Sequence, residues 1–227
     1  MKKRIRVLLC PPPELGRVDT GLRFTDILFG FVIRELFIRL QNWSQLDSYV
    51  RWHLIVGAIL VLGSWIGFRR SLNRTTYEVK FFNLPLFCFL MDQLMVILYF
   101  RIAVLTDIGG KRLPTADELG STTIELLLSV FLLYVVWDLL GIWMAKAKAP
   151  AEGNGVKPKY PEVKDGKMTL EHKRADYAGL TISAVNLAFL GIIRCFVSTP
   201  NRQFAAAVII LLAYRAAKEV RTSWRSL

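Results

Sequence analysis

Residues 21–40 read GLRFTDILFGFVIRELFIRL, and this stretch decides how the rest of the chain is interpreted. It is long and apolar enough for a membrane-spanning helix, which needs about 20 mostly apolar residues. It nevertheless carries Asp26 near its start and the adjacent pair Arg34 and Glu35 past its middle. Ionisable groups are costly in lipid and usually face a partner or a water-filled cavity. We therefore expect protein, rather than lipid, to surround the charged side of this helix.

The whole chain has the hydropathy of an integral membrane protein. It has 227 residues, of which 53% are hydrophobic, above the 45–50% that is typical of soluble domains. Stretches of suitable length and apolar character recur along it. They predict an all-α fold with six transmembrane helices, at residues 22–40, 52–68, 82–105, 122–145, 177–198 and 203–217.

The loops between these spans alternate in charge. The segment before the first helix, the loops at 69–80 and 146–174, and the tail at 218–225 are rich in Lys and Arg, whereas the other three loops are not. Basic residues concentrate in the cytoplasmic loops of membrane proteins. The alternation therefore predicts six spans with both termini in the cytoplasm, in a bacterial inner or plasma membrane.

The same alternation divides the chain into five parts. These are a cytoplasmic N-terminal segment (1–21), transmembrane helices one to four (22–145), a basic cytoplasmic loop (146–175), helices five and six (176–217) and a basic cytoplasmic tail (218–227). The formal net charge of +12 is then explained by flanks that contact anionic lipid headgroups, so we expect no nucleic-acid partner.

No residue pattern in the sequence favours an enzyme. There is no G-x-S-x-G motif, no phosphate-binding loop and no cluster of histidines or acidic residues at metal-ligand spacing. The three cysteines, Cys10, Cys88 and Cys195, are isolated from one another. We expect neither a catalytic site nor a metal or other cofactor.

Two interpretations of the charges inside the spans remain open. In the first, Arg34 and Asp92, at depths of about 18 and 15 Å from the cytoplasmic edge, form an ion pair that locks helix one to helix three. That pair lies within or between subunits, and Glu35 reaches Arg101 or Arg194. In the second, Arg34 or Glu35 lines a water-filled pathway, because adjacent helical residues diverge by about 100° and cannot both face one neighbour.

The start of the first span resembles a known family. Arg23-Phe24-Thr25-Asp26 resembles the R-x-x-x-F-S-D signature that opens helix one of the endolysosomal and bacterial six-helix potassium channels. Ser64-Trp65 and Asn83-Leu84 are similar to that family's residues at the end of helix two and the start of helix three. One departure is that Thr20 stands where the signature has its arginine.

The resemblance implies a homo-oligomer, a tetramer in the bacterial members, with helix one around the pore. It places a hydrophobic gate at Phe31 and a selectivity layer at Arg34, within a predicted pore-lining stripe of Ile27, Phe31, Arg34 or Glu35, and Ile38. A ring of arginines repels cations, so a potassium path is not expected if Arg34 faces the pore. The expected function is an oligomeric membrane ion channel. The alternative is a non-conducting scaffold or anchor for partner membrane subunits.

Overall fold

The computed structural model describes residues 19–72, 84–106, 114–147 and 167–224, and within these ranges every regular element is a helix, without strands. The predicted all-α class is confirmed for this part of the chain. A short 3₁₀ turn, Trp43–Gln45, connects the first two helices. The six α-helices are α1 Asp19–Leu40, α2 Ser48–Leu72, α3 Leu84–Val104, α4 Ala116–Ala147, α5 Lys167–Phe196 and α6 Pro200–Trp224.

Several helices extend beyond the apolar stretches that predict them. Helix α5 begins at Lys167, inside the segment predicted as a loop, because residues 167–178 contain no Gly or Pro to stop a helix. Helix α6 continues to Trp224, through most of the predicted tail. Residues 1–18, 73–83, 107–113, 148–166 and 225–227, which include most of the predicted N-terminal segment and of the predicted basic loops, lie outside the described part.

Two helix starts have clear local causes. Thr115 and Glu118 form a reciprocal cap before α4, with the Glu118 amide donating to the Thr115 hydroxyl (3.3 Å) and the Thr115 amide donating to the Glu118 carboxylate (2.8 Å). Pro200 opens α6, where its fixed φ suits a first helical turn and its missing N–H leaves no bond unmade.

Three of the described helices are long and apolar enough to cross a membrane, judged by length and composition alone. The qualifying segments are Ser48–Arg69 in α2, Ala116–Trp143 in α4 and Tyr177–Phe196 in α5. Helices α1 and α6 carry more charged or polar side chains along their length, which lowers their hydropathy.

Helix α4 is the centre of the bundle, since it packs against α2, α3, α5 and α6, most extensively against α5. Helix α1 packs against α2 and α3 at one side. The core includes the completely buried rings of Phe131 and Phe204 and the nearly buried ring of Tyr99. The start of α1 and the ends of α2, α4 and α6 meet at one end of the bundle, which we call the basic end.

Candidate functional site

Helix α1 has two distinct faces. Thr25, Phe29, Val32 and Leu36 recur at intervals of three or four residues and are all less than 5% exposed. This spacing places them on one stripe, and that stripe is the contact of α1 with the rest of the bundle. Phe29 packs its ring near that of Tyr99 in α3, with 5.8 Å between the ring centroids.

The opposite face of α1 is not covered by any other described helix. It carries Ile27, Phe31, Arg34 and Ile38, which are all exposed. The structure therefore brings together on one face four of the five predicted pore-lining residues. The fifth, Glu35, is only 20% exposed and lies beside this stripe rather than within it.

Arg34 has a carboxylate partner, but not the predicted one. Its guanidinium lies 2.9 Å from Glu35 Oε1, while Glu35 Oε2 lies 2.9 Å from the guanidinium of Arg39, one turn further along. The predicted Arg34–Asp92 pair does not form within the described chain, because the Arg34 side chain is 66% exposed on the open face and Asp92 is buried. Glu35 likewise pairs within α1 rather than with Arg101 or Arg194.

The motif residues at the start of α1 hold three helices together. The Thr25 hydroxyl accepts a hydrogen bond from Gln93 in α3 (3.0 Å). One oxygen of Asp26 accepts from the indole N–H of Trp65 in α2 (3.1 Å), and the other lies 3.2 Å from Arg69. Phe24 is exposed, and the side chain of Arg23 lies outside the described part.

Asp92 stands apart from the charges on α1. It is 9% exposed in α3, and the indole of Trp137 in α4 lies beside it, with its N–H also buried. The contact is between an acid and a neutral indole, so it contributes to the packing of α3 on α4 without balancing a charge.

A cavity of about 310 Å³ opens at the end of α1 that lies opposite the basic end. Charged, amide and hydroxyl side chains share its wall with aliphatic ones, which gives it mixed polarity. Its lining comes from the end of α1, the α1–α2 connection, the start of α2 and the end of α3, and consists of Ile38, Arg39, Asn42, Gln45, Leu46, Asp47, Val50 and Thr106.

A second polar region, which the sequence patterns do not predict, runs from the basic end into the bundle. There the Arg215 guanidinium donates to the Ser64 hydroxyl (2.9 Å), which is bonded to Tyr134 (2.5 Å), and Tyr134 is bonded to Tyr99 (2.7 Å). These residues come from four helices and are far apart in the chain, so no local sequence motif contains them together.

Nothing in the described ranges groups three or more histidine, cysteine or acidic side chains in a way that could hold a metal ion. Two candidate functional sites are therefore considered, the open face of α1 and the polar region that runs inward from the basic end.

No protein-family model matches the chain, and no curated protein or solved structure matches it either.

Proposed function

We propose that the protein is an oligomeric membrane ion channel in which α1 of each subunit surrounds an axial path. The observation that carries the proposal is the 66% exposure of the Arg34 side chain in the middle of an otherwise apolar face. In a bilayer, an arginine at this depth is costly unless water or protein covers it. Copies of α1 around a water-filled axis would provide both.

The arrangement of side chains on this face is suited to a gated path. Phe31, exposed and one turn before Arg34, would form a ring of aromatic side chains able to close a pore by excluding water. The Arg34–Glu35–Arg39 cluster carries two positive charges and one negative charge, a surplus of +1 per subunit. A positive ring favours anions over potassium.

We also propose a likeness to the six-helix potassium channels, because the resemblance implies packing bonds from Thr25 and Asp26 and both side chains bond to neighbouring helices. In this chain Thr25 and Asp26 bond α1 to α3 and α2, and the resemblance implies that the residues opening helix one of those channels do the same. A channel built this way needs six spans with both termini on the same side, as the alternating loop charges predict. Reporter fusions at the two termini and within residues 107–113 would test this topology.

The second candidate is a non-conducting anchor for other membrane subunits. The observation that favours it is the same open face, since exposed Phe24, Phe31 and Phe37 could equally pack against helices of a different protein. Arg34 would then pair with an acidic residue of that partner. The two candidates differ in whether α1 meets copies of itself.

Ion flux into liposomes that contain the purified full chain tests the channel proposal. Under potassium, sodium and chloride gradients, we expect chloride flux to exceed cation flux. Arg34→Thr should lower the chloride preference roughly tenfold, because it removes the charge closest to the axis. Phe31→Ser should raise the basal leak, because a small polar side chain cannot exclude water from the constriction.

Arg202→Thr is the matched control, since Arg202 is exposed at the start of α6, away from α1. It should leave both flux and selectivity unchanged. If the wild-type protein and both α1 variants are inserted and folded but silent, the channel proposal fails. The anchor candidate then predicts that a different membrane protein co-purifies with the chain and that Arg34→Glu releases it.

A further inference from the structure

The last turns of α6 carry three basic residues that face the bundle. Arg215, Lys218 and Arg221 lie three residues apart, so they share one side of the helix. All three are only partly exposed, although long basic side chains at a helix end usually extend into water. Their side chains instead contact α2, α4 and α5 inside the basic end.

Glycines on the neighbouring helices make room for two of these side chains. Arg215 lies against Gly63 and Gly67 of α2, and a Cβ atom at Gly67 would be 2.8 Å from its guanidinium nitrogen. The guanidinium of Arg221 lies still closer to the corresponding position at Gly179 of α5. Because a methyl group at Gly63 or Gly179 would also clash with these arginines, the clefts between the helices fit the two guanidinium groups.

Among the described contacts of Arg215 and Lys218 there is one carboxylate, that of Asp138. Lys218 lies 3.2 Å from Asp138 of α4, and Asp138 also accepts a hydrogen bond from Ser183 of α5 (2.6 Å). Arg215 bonds to the neutral Ser64 and lies over the ring of Tyr214, with 5.6 Å from its guanidinium carbon to the ring centroid. Arg215 and Lys218 thus place two positive charges against the single negative charge of Asp138.

The cluster lies near the end of the predicted spans, within about two helical turns of where lipid headgroups would be. The sixth predicted span ends at residue 217, between Arg215 and Lys218. Trp143 near the end of α4 and Tyr177 near the start of α5 are exposed at the same end of the bundle, and such aromatic side chains favour the membrane–water interface. Basic pockets between transmembrane helices at this level bind anionic headgroups.

We propose that Arg215, Lys218 and Arg221 form a binding site for the phosphate group of an anionic phospholipid. A guanidinium presents five N–H donors, and the described bond to Ser64 engages one of its nitrogens, so Arg215 can still donate to phosphate oxygens. A lipid bound here would join α6 to α2, α4 and α5. The proposal requires that the bundle sits in a membrane but does not require that it conducts.

The test is thermal unfolding of the purified full chain in dodecyl-maltoside micelles with added lipid. Phosphatidylglycerol should raise the melting temperature by about 5 °C or more once it is present at about 100 times its Kd, because it binds only the folded state. Phosphatidylcholine, which has the same phosphodiester but no net charge, should shift it by much less. Lys218→Gln and Arg215→Gln should each remove at least half of the shift.

Arg202→Gln is the control, because it removes the same charge from the other end of the same helix. It should retain the whole shift caused by phosphatidylglycerol. Equal stabilisation by the two lipids, or a full shift in Lys218→Gln, would overturn the proposal. Stabilisation by inorganic phosphate alone, at the same concentration and matched ionic strength, would assign the site to a soluble phosphate compound and overturn the lipid assignment.

A second measurement covers the case in which Arg215→Gln does not fold. Native mass spectrometry of the wild-type protein and of Arg221→Gln counts the phosphatidylglycerol molecules that remain bound. At least one lipid per wild-type chain and fewer on the variant are expected. Equal retention by the two proteins would overturn the proposal.

Discussion

His53 is completely buried in α2, and each of its two ring nitrogens has a hydrogen-bond partner. Its Nε2 lies 2.9 Å from the carbonyl oxygen of Ile102, and its Nδ1 lies 2.8 Å from the hydroxyl of Thr123. A carbonyl oxygen only accepts, so Nε2 must carry a proton. In the neutral ring Nδ1 is then an acceptor, and the Thr123 hydroxyl is its donor.

We expect Thr123→Val to destabilise the protein by about 1 to 3 kcal/mol, because valine has the shape of threonine but leaves Nδ1 buried without a donor. The wild-type hydroxyl also lies 2.6 Å from the carbonyl oxygen of Leu119, and its single proton is shared between two acceptors. Unfolding followed by circular dichroism in detergent micelles measures the change.

Thr181→Val is the control for this prediction. The Thr181 hydroxyl is exposed and donates to the carbonyl oxygen of Tyr177 in its own helix (2.9 Å). Its loss should change stability by less than about 0.5 kcal/mol. If the two valine variants were equally stable, the buried bond between Thr123 and His53 would not contribute as the geometry indicates.

The sequence predicts how deep the charged residues lie in the bundle, but it does not predict which side chains they contact. It placed Arg34 and Asp92 at similar depths along their helices, but depth does not fix the direction in which a side chain leaves the helix axis. The structure turns Arg34 outward and Asp92 inward. His53 could not be predicted as a buried hydrogen-bonding residue, since its partners are 49 and 70 positions away in the chain.

For helix α1, the sequence predicted which residues share a face, but it did not predict which face is buried in the bundle. Residues spaced by three or four share a face on any helix, so Ile27, Phe31 and Ile38 had to lie together. Hydropathy alone could not say which face packs, because both faces of a helix in lipid are apolar. Phe29 is buried and Phe31 is exposed, although the two residues are chemically identical.

Gly63 and Gly67 of α2 leave the space that the Arg215 side chain of α6 occupies. We expect Gly63→Ala to destabilise the bundle by about 1 to 3 kcal/mol, because the added methyl would clash with Arg215 and force it away from Ser64. The change in melting temperature of the purified variant in micelles measures this effect.

Gly141→Ala provides the comparison for that substitution. Beyond the adjacent residues and the backbone of its own helix, no described atom lies within 4 Å of the place that its Cβ would occupy, so the variant should be as stable as the wild type or up to about 1 kcal/mol more stable. A Gly63→Ala protein as stable as Gly141→Ala would mean that Arg215 can leave its cleft without cost.

In the bundle as a unit, the second face of α1 is not covered by the other described helices. It lies at the side of the bundle, packed on α2 and α3, and its open face includes a charged residue. The sequence could predict the number of helices from six apolar stretches and their approximate positions. It could not predict what covers α1, because an exposed apolar face suits both identical and different neighbours.

Cysteine cross-linking in the membrane addresses that question directly. In a chain whose Cys10, Cys88 and Cys195 are replaced by serine, we expect Ile27→Cys or Ile38→Cys to give cross-linked dimers and higher multiples of the chain mass with a short thiol-reactive cross-linker. The reason is that copies of α1 around one axis bring equivalent residues close together. Denaturing gel electrophoresis of cross-linked membranes reads the result.

Two further positions make the result specific to the open face of α1. Val32→Cys should give no cross-links, since Val32 is 1% exposed on the packed face of the same helix. Leu212→Cys is exposed on α6 and tests for random collisions between chains, so it should also give none. If Ile27→Cys cross-links no more than Leu212→Cys, copies of α1 do not meet, and the axial channel is excluded. If Ile27→Cys instead links to a protein of different mass, the anchor function is supported, because the open face would then be covered by a different subunit.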